Sequence, residues 1–228
     1  MSPLEPHHFW QTIDPTDTHD SAPADGFTDS YPTRLPDGRQ LLLPLRVLPG
    51  DGTQAVASLI VNQASFAVED ALSQAMTELI APLAPEVIIG VPTLGLPLAN
   101  NVARRLGHPR MVALGTSRKF WYVDALSAPM SSITSPTHQK TIFLDPRSLP
   151  LLANKRVVVV DDVISSGTSI VAVLTLLAQA GITPVAVVVA MLQGTRWHTP
   201  LAAHRDKIVA PIASPRFART PNGHWLPD

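Results

Sequence analysis

The chain has 228 residues, 45% of them hydrophobic, with a formal net charge of −1. That is enough apolar material for one core, and no global charge points to nucleic acid or an anionic membrane as a partner. Cysteine is absent, which excludes a disulfide framework, a thiolate metal site and a cysteine nucleophile. No apolar run reaches the roughly 18–20 residues of a membrane-spanning helix. Met1 to Trp10 has no basic lead into an apolar stretch, so no signal peptide is read and a cytoplasmic setting is expected.

Residues 1–26 contain Glu5, Asp14, Asp17, Asp20 and Asp25 together with Pro3, Pro6, Pro15 and Pro23, and neither Lys nor Arg. They read as an acidic, flexible arm. Deleting residues 1–25 is therefore expected to leave thermal stability nearly unchanged. Gln40 to Leu48 and Ala55 to Val61 are strand candidates, and the turn sequence Pro49-Gly50-Asp51-Gly52 between them predicts a hairpin. Phe66, Leu72, Met76, Leu79 and Ile80 recur at helical spacing, and that helix should stop before Pro82.

The pattern then changes. Glu86 to Val91 is a short apolar strand, Pro92 to Pro97 a loop, and Leu98 to Leu106 a helix closed by Gly107. Met111 to Leu114 is another short strand. Gly115 to Pro150 has little periodicity, with one strand expected at Thr141 to Leu144. Irregular stretches of this length are commonly functional lids. Arg156 to Val160 is a β-branched strand, Gly167 to Ala180 a helix, and Pro184 to Met191 a second such strand. Strand, helix and strand in this order make a right-handed βαβ unit, and continuous apolar strands belong to a parallel sheet covered on both faces. The fold class that follows is α/β, with a doubly wound parallel sheet.

The informative segment is Val157-Val-Val-Val-Asp161-Asp162-Val-Ile-Ser165-Ser166-Gly167-Thr168-Ser169. It puts two carboxylates at the carboxyl end of a buried parallel strand, the edge at which open α/β sheets bind ligands. A loop of hydroxyls and glycine follows and opens a helix, offering N–H groups, hydroxyl donors and a positive helix end to a phosphate. The carboxylates suit sugar hydroxyls, or Mg²⁺ and its waters. Capping alone would explain the loop but not two adjacent charges, which raise each other's cost unless donors or a cation compensate. A nucleotide-binding reading of another kind lacks its marks: there is no Gly-x-Gly-x-x-Gly and no P-loop lysine.

This segment resembles the 5-phosphoribosyl-1-pyrophosphate (PRPP) motif of the type I phosphoribosyltransferases over all thirteen residues. The resemblance implies that Asp161 and Asp162 meet the ribose hydroxyls, and a Mg²⁺ through PRPP or water, while Ser165, Ser166, Gly167, Thr168 and Ser169 hold the 5-phosphate. Gly90-Val-Pro92-Thr93-Leu94-Gly95 is similar to the family's pyrophosphate loop, where a non-proline cis peptide is expected at Thr93–Leu94. Ser117-Arg118-Lys119 resembles the basic start of the mobile catalytic loop, with a lid over about Ser117 to Pro136. The implied division is a hood segment with a helix at 27–85, a PRPP-binding core at 86–192 and a C-terminal hood segment at 193–228. Phe217 and Trp225, with Trp197, are the aromatic candidates for the base pocket.

The resemblance implies Mg²⁺-dependent transfer of ribose 5-phosphate to a nucleobase, and a homodimer. Ser165 stands where the hypoxanthine-guanine members carry an aspartate, and Arg118-Lys119 looks like the adenine and orotate types, so an adenine-like base is favoured. The departure from pattern is the lack of an acid between Leu126 and Thr141, where adenine members carry a glutamate. A non-enzymatic PRPP sensor of the same fold is the alternative. The acidic arm and net charge of −1 speak against direct DNA binding by such a sensor.

Overall fold

The computed structural model describes residues 4–132 and 135–228, and side chains outside 131–139. Residues 1–3 of the expected arm and 133–134 of the expected lid lie outside the described residues. No helix among the described residues is long and apolar enough to cross a membrane.

Strands β1 (Ser30–Arg34), β2 (Gln40–Val47) and β3 (Gln54–Ala57) pair antiparallel in sequence order, so the predicted turn does join a hairpin, β2–β3. Helix α1 (Phe66–Ile80) begins at Ser65, whose hydroxyl accepts the Val68 N–H at 3.3 Å. It yields to a 3₁₀ turn at Pro82. Strand β4 (Val87–Gly90), helix α2 (Gly95–Arg105) and strand β5 (Val112–Ala113) come next. In the irregular stretch the strand expected at Thr141 to Leu144 is the end of a longer β7 (Ser135–Phe143), which pairs antiparallel with an unforeseen β6 (Ser127–Ser132); a short α3 (Leu149–Leu152) follows. Ser, Thr and Pro hide the rest of the hairpin's strand period, yet Ala128, Met130 and Ile142 are buried and the hairpin packs against the helix that follows the motif strand.

That strand is β8 (Val157–Ile164), followed by α4 (Thr168–Gln179) and β9 (Ala186–Gln193). Two short strands, β10 (Ile208–Val209) and β11 (Ile212–Ser214), both add to β9. The sheet has the order β10-β9-β8-β4-β5 with β11 also on β9, and every pairing in it is parallel. Alternation along β8 explains why it is apolar throughout: Val158 and Val160 face the layer of α1 and α2, Val157 and Val159 the layer of α4. Helices thus cover both faces, the doubly wound arrangement.

The second sheet is β1-β2-β3-β12-β13, with β12 (Arg216–Arg219) and β13 (Trp225–Pro227) contributed by the far end of the chain. Phe27, in the segment leading into β1, exchanges two backbone hydrogen bonds of 2.8 Å with Trp225, so this one bridge joins the two ends of the sheet beside Phe27, Tyr31 and Phe217.

Residues 4–26 correct the expected flexible arm, because they are docked. Phe9 and Trp10 belong to the core, Trp10 at 3% exposure, and the indole N–H donates to the Ser58 carbonyl at 2.9 Å. Asp14 and Gln40 exchange backbone hydrogen bonds of 2.8 and 2.9 Å. His19 contacts the Asp14 carboxylate at 2.7 Å, and Gln40 bonds the His19 backbone in both directions. Proline and acidic content set the average of this segment, whereas two aromatic side chains decide where it sits.

Candidate active site

β8 lies between β4 and β9, and its polar residues, Asp161 and Asp162, follow directly where its ladder with β4 ends at Val160. Asp161 is 6% exposed, and its Oδ1 accepts the N–H of Asp162 at 2.9 Å. Burial holds the Asp161 carboxyl well above the usual carboxylate range, and the neighbouring Asp162 charge adds to this. Burial likewise raises Asp162. Two acids that resist ionising together are primed for hydrogen-bond donors or a cation that relieves them.

The loop after β8 turns at Gly167, whose φ of +83° is left-handed. A Cβ at that position would also lie 2.9 Å from Leu201 Cδ1 and 3.3 Å from Trp197 Cβ. Ser166 Oγ stands 3.0 Å from Thr168 Oγ1. Because α4 starts at Thr168, its first-turn amides and the hydroxyls of Ser165, Ser166, Thr168 and Ser169 belong to one short cradle.

The Pro92–Gly95 loop meets the same edge. Gly90 is in register with Val160, and Val91 N–H donates to the Val160 carbonyl at 3.0 Å. α2 begins at Gly95, earlier than the expected Leu98; Pro97 is accommodated because first-turn amides need no intrahelical acceptor. The cis peptide lies at Pro92–Thr93, one bond before the expected place. A Cβ on Gly95 would sit 2.8 Å from Asp161 Cα and 2.8 Å from its Oδ1, so glycine is what allows the first turn of α2 to press on the carboxylate. Gly95→Ala is expected to displace one from the other, costing about 1–3 kcal/mol of stability, with ligand affinity falling in parallel. Thermal melts alongside calorimetry check this, and unchanged values in both would refute the close approach.

The fold thus brings together Asp161, Asp162, the 165–169 loop and the 92–95 loop. Arg118 and Lys119 are not joined to them. Arg118 forms an ion pair with Asp124 in its own loop, and Lys119 has no side-chain partner among the described residues. The base of that loop is fastened by Gly115, which exchanges two backbone hydrogen bonds with Phe143, and by Trp121, which lies under the Arg147 guanidinium at 4.4 Å. The hydrogen bond from Arg147 holds the Asp145 carboxyl down at about 2.

Phe217 and Trp225 are corrected as base-pocket candidates. Phe217 is 0% exposed, edge-on to Phe27 and Tyr31 at 5.8 and 5.3 Å, and Trp225 is buried in the same cluster. Inward alternation in a closed sheet consumes both rings as core, leaving no open face for stacking. Trp197 is also buried and props Gly167 from behind. Sequence reading missed this prop, whose only signal was an aromatic residue shortly after a strand end. No group of three or more His, Asp or Glu side chains able to hold a metal occurs among the described residues. Two adjacent carboxylates are by their chemistry a donor set that would suit a hydrated Mg²⁺.

The phosphoribosyl transferase domain family matches residues 59–211, more than half of the chain, and the match spans every one of these site segments. The chain belongs to this family. Its fold is shared with adenine phosphoribosyltransferase from Giardia lamblia, solved with 9-deazaadenine, at a TM-score of 0.62 and 19% identity over 75% of this chain and 93% of that one. The Trypanosoma brucei adenine enzyme, solved with AMP, pyrophosphate and ribose 5-phosphate, gives 0.57 and 18% over 80% and 75%. The Saccharomyces cerevisiae adenine enzyme, solved with adenine and an imino-altritol bisphosphate, gives 0.52 and 18% over 75% and 92%. No curated protein matches the sequence. The match begins at Leu59 and ends at Pro211, so the strands that close the hood lie outside the part the family has in common.

Proposed function

We propose that this chain transfers the ribose 5-phosphate of Mg²⁺-PRPP to a ring nitrogen of a nucleobase and releases pyrophosphate, with an adenine-like base favoured. The observation that carries the reading is the Asp161–Asp162 pair in the carboxyl half of β8, with Asp162 three residues before a hydroxyl loop that opens α4 and Asp161 pressed by the start of α2. A ribose 5-phosphate needs both features at that spacing. The adenine-like preference is supported by Ser165 in place of an acid, and by the fold shared with enzymes whose solved complexes contain adenine, its 9-deaza analogue or AMP.

In this mechanism the base nitrogen attacks C1 of the ribose as the bond from C1 to the pyrophosphate oxygen breaks, the pyrophosphate leaves with the bonding electrons, and the proton on the nitrogen passes to water. Asp161 and Asp162 accept hydrogen bonds from the ribose hydroxyls and stabilise positive charge growing on the sugar. Backbone N–H groups of the 92–95 loop stabilise charge growing on the departing pyrophosphate. Asp161 and Asp162 would help to hold a Mg²⁺, which would supply charge neutralisation to the pyrophosphate. Arg118 and Lys119 reach the pyrophosphate only if Arg118 leaves Asp124, which makes closure of the 115–126 loop a step in the cycle that excludes water.

The test is PRPP-dependent pyrophosphate release with Mg²⁺ against adenine, guanine, hypoxanthine, xanthine, orotate and uracil, with calorimetric titration of PRPP on the same preparation. Release with one base supports the enzyme and names its acceptor; no PRPP binding at all overturns the reading. The lack of an acid between Leu126 and Thr141 favours a second reading, a PRPP-binding protein without turnover, and tight binding with no release from any base would select it. Arg118→Ala is expected to cut turnover about a hundredfold, the size of one lost oxyanion contact, while ribose 5-phosphate binding holds. Equal losses in both would contradict the pyrophosphate role.

A further inference from the structure

The segment that follows β9 touches the hood and the phosphate cradle within nine residues. Gln193, the last residue of β9 and 7% exposed, donates from Nε2 to the Ala57 carbonyl at the end of β3, at 2.7 Å. The Gly194 carbonyl accepts the Trp197 indole N–H at 3.1 Å. Trp197 and Leu201 are the residues packed against Gly167. Leu192 is in register with Ile164, so Gln193 stands beside the start of the 165–169 loop, one strand away.

Other contacts make this seam stiff. Thr33, almost fully buried in β1, donates to the Ala213 carbonyl of β11 at 2.9 Å. β11 runs into β12 across Pro215 alone, carrying the chain from the parallel sheet directly into the hood. Trp10 also holds the Ser58 carbonyl, and the Gln11 side chain that of Gln63. The stretch from Ala57 to Ser65 is therefore held both by the N-terminal segment and by Gln193.

We infer that Gln193 is a positioning residue that sets the separation between the hood wall at Ala57–Ser58 and the phosphate cradle, and through it the fit of the nucleobase; this rests on the phosphoribosyltransferase reading. The site segments for the sugar, its phosphate and the pyrophosphate all come from β8, α4, the 92–95 loop and α2, and none runs through Gln193. On the phosphoribosyltransferase reading, a base attached at C1 would lie beyond that edge, on the hood side. Losing the amide leaves the Ala57 carbonyl buried without its donor, a penalty the hood escapes only by moving. The cost should then fall on the base and spare PRPP.

The test uses Gln193→Met, similar in length and without a donor, compared with wild type in melting temperature, backbone hydrogen exchange, Mg²⁺-PRPP affinity and adenine kinetics. Amides of 57–65 should exchange faster. PRPP affinity should stay within about twofold while the KM for base rises about tenfold and kcat falls less than about threefold, as expected for uniform binding lost through a shifted wall. A folded variant with base KM within about twofold of wild type, or with PRPP affinity falling in step with base, overturns the proposal. If Gln193→Met does not fold, Gln193→Asn, which withdraws the same amide by one methylene, carries the same readings. Wild type that binds no Mg²⁺-PRPP would sink the functional reading by itself, and unchanged exchange at 57–65 would separately overturn the tie.

Discussion

Asp161→Asn combined with Asp162→Asn is expected to remove Mg²⁺-PRPP binding, by at least about a hundredfold, while the protein stays folded. Each carboxylate oxygen lost is a charge-assisted acceptor for a ribose hydroxyl, and such bonds contribute about 1.5–3 kcal/mol apiece. Calorimetry reads the affinity, and a retained affinity would remove the pair from the site. The same exchange should stabilise the free protein. Asp161 is held well above the usual carboxylate range chiefly by burial, then by Asp162, and Asp162 is raised by burial as well. Over the interval above that range the folded chain keeps protons that the unfolded chain has released, so stability falls as pH rises through it. In the double variant that part of the pH slope should vanish and neutral-pH stability should rise. A variant less stable than wild type at pH 7 would mean the pair is satisfied within the protein, not poised for a ligand.

Trp10→Ala should cost about 3–5 kcal/mol, the range for emptying a large aromatic site in a core. The side chain is almost wholly buried, and its N–H satisfies the Ser58 carbonyl. Removing residues 1–25 should cost at least as much, since Phe9 and the Asp14–Gln40 backbone pairing leave with it. Thermal or urea unfolding measures both. A deletion that melts like wild type would restore the picture of a solvated arm.

The contrast between these two regions shows what the sequence could carry. Val157 to Ser169 was legible because its meaning is local: four buried β-branched residues, two acids, then hydroxyls and glycine at a helix start. The 92–95 loop, placed beside it by resemblance, does meet the same edge, whereas Arg118 and Lys119 do not join it. The N-terminal segment was misread because composition averages over residues whereas docking depends on two of them. Phe217 and Trp225 were misassigned because an aromatic ring suits a core and a ligand face equally, and only closure of the hood decides between them. Of the β6–β7 hairpin only the end of β7 was legible, at Thr141 onward; Ser, Thr and Pro at positions that carry no period hid the rest. Gln193 gave no signal, since its partner is a backbone carbonyl 136 residues away.

Closure of the hood by Phe27 and Trp225 has a bearing on behaviour at high concentration. A two- or three-stranded antiparallel sheet with open flanks invites a further strand from another molecule. Here the outer flank of β13 is met by Phe27 in its own chain, so edge-to-edge growth finds no template at that flank. Opening the ring, for instance by replacing Gly26, whose Cβ would strike the Trp225 carbonyl at 2.8 Å, would expose one.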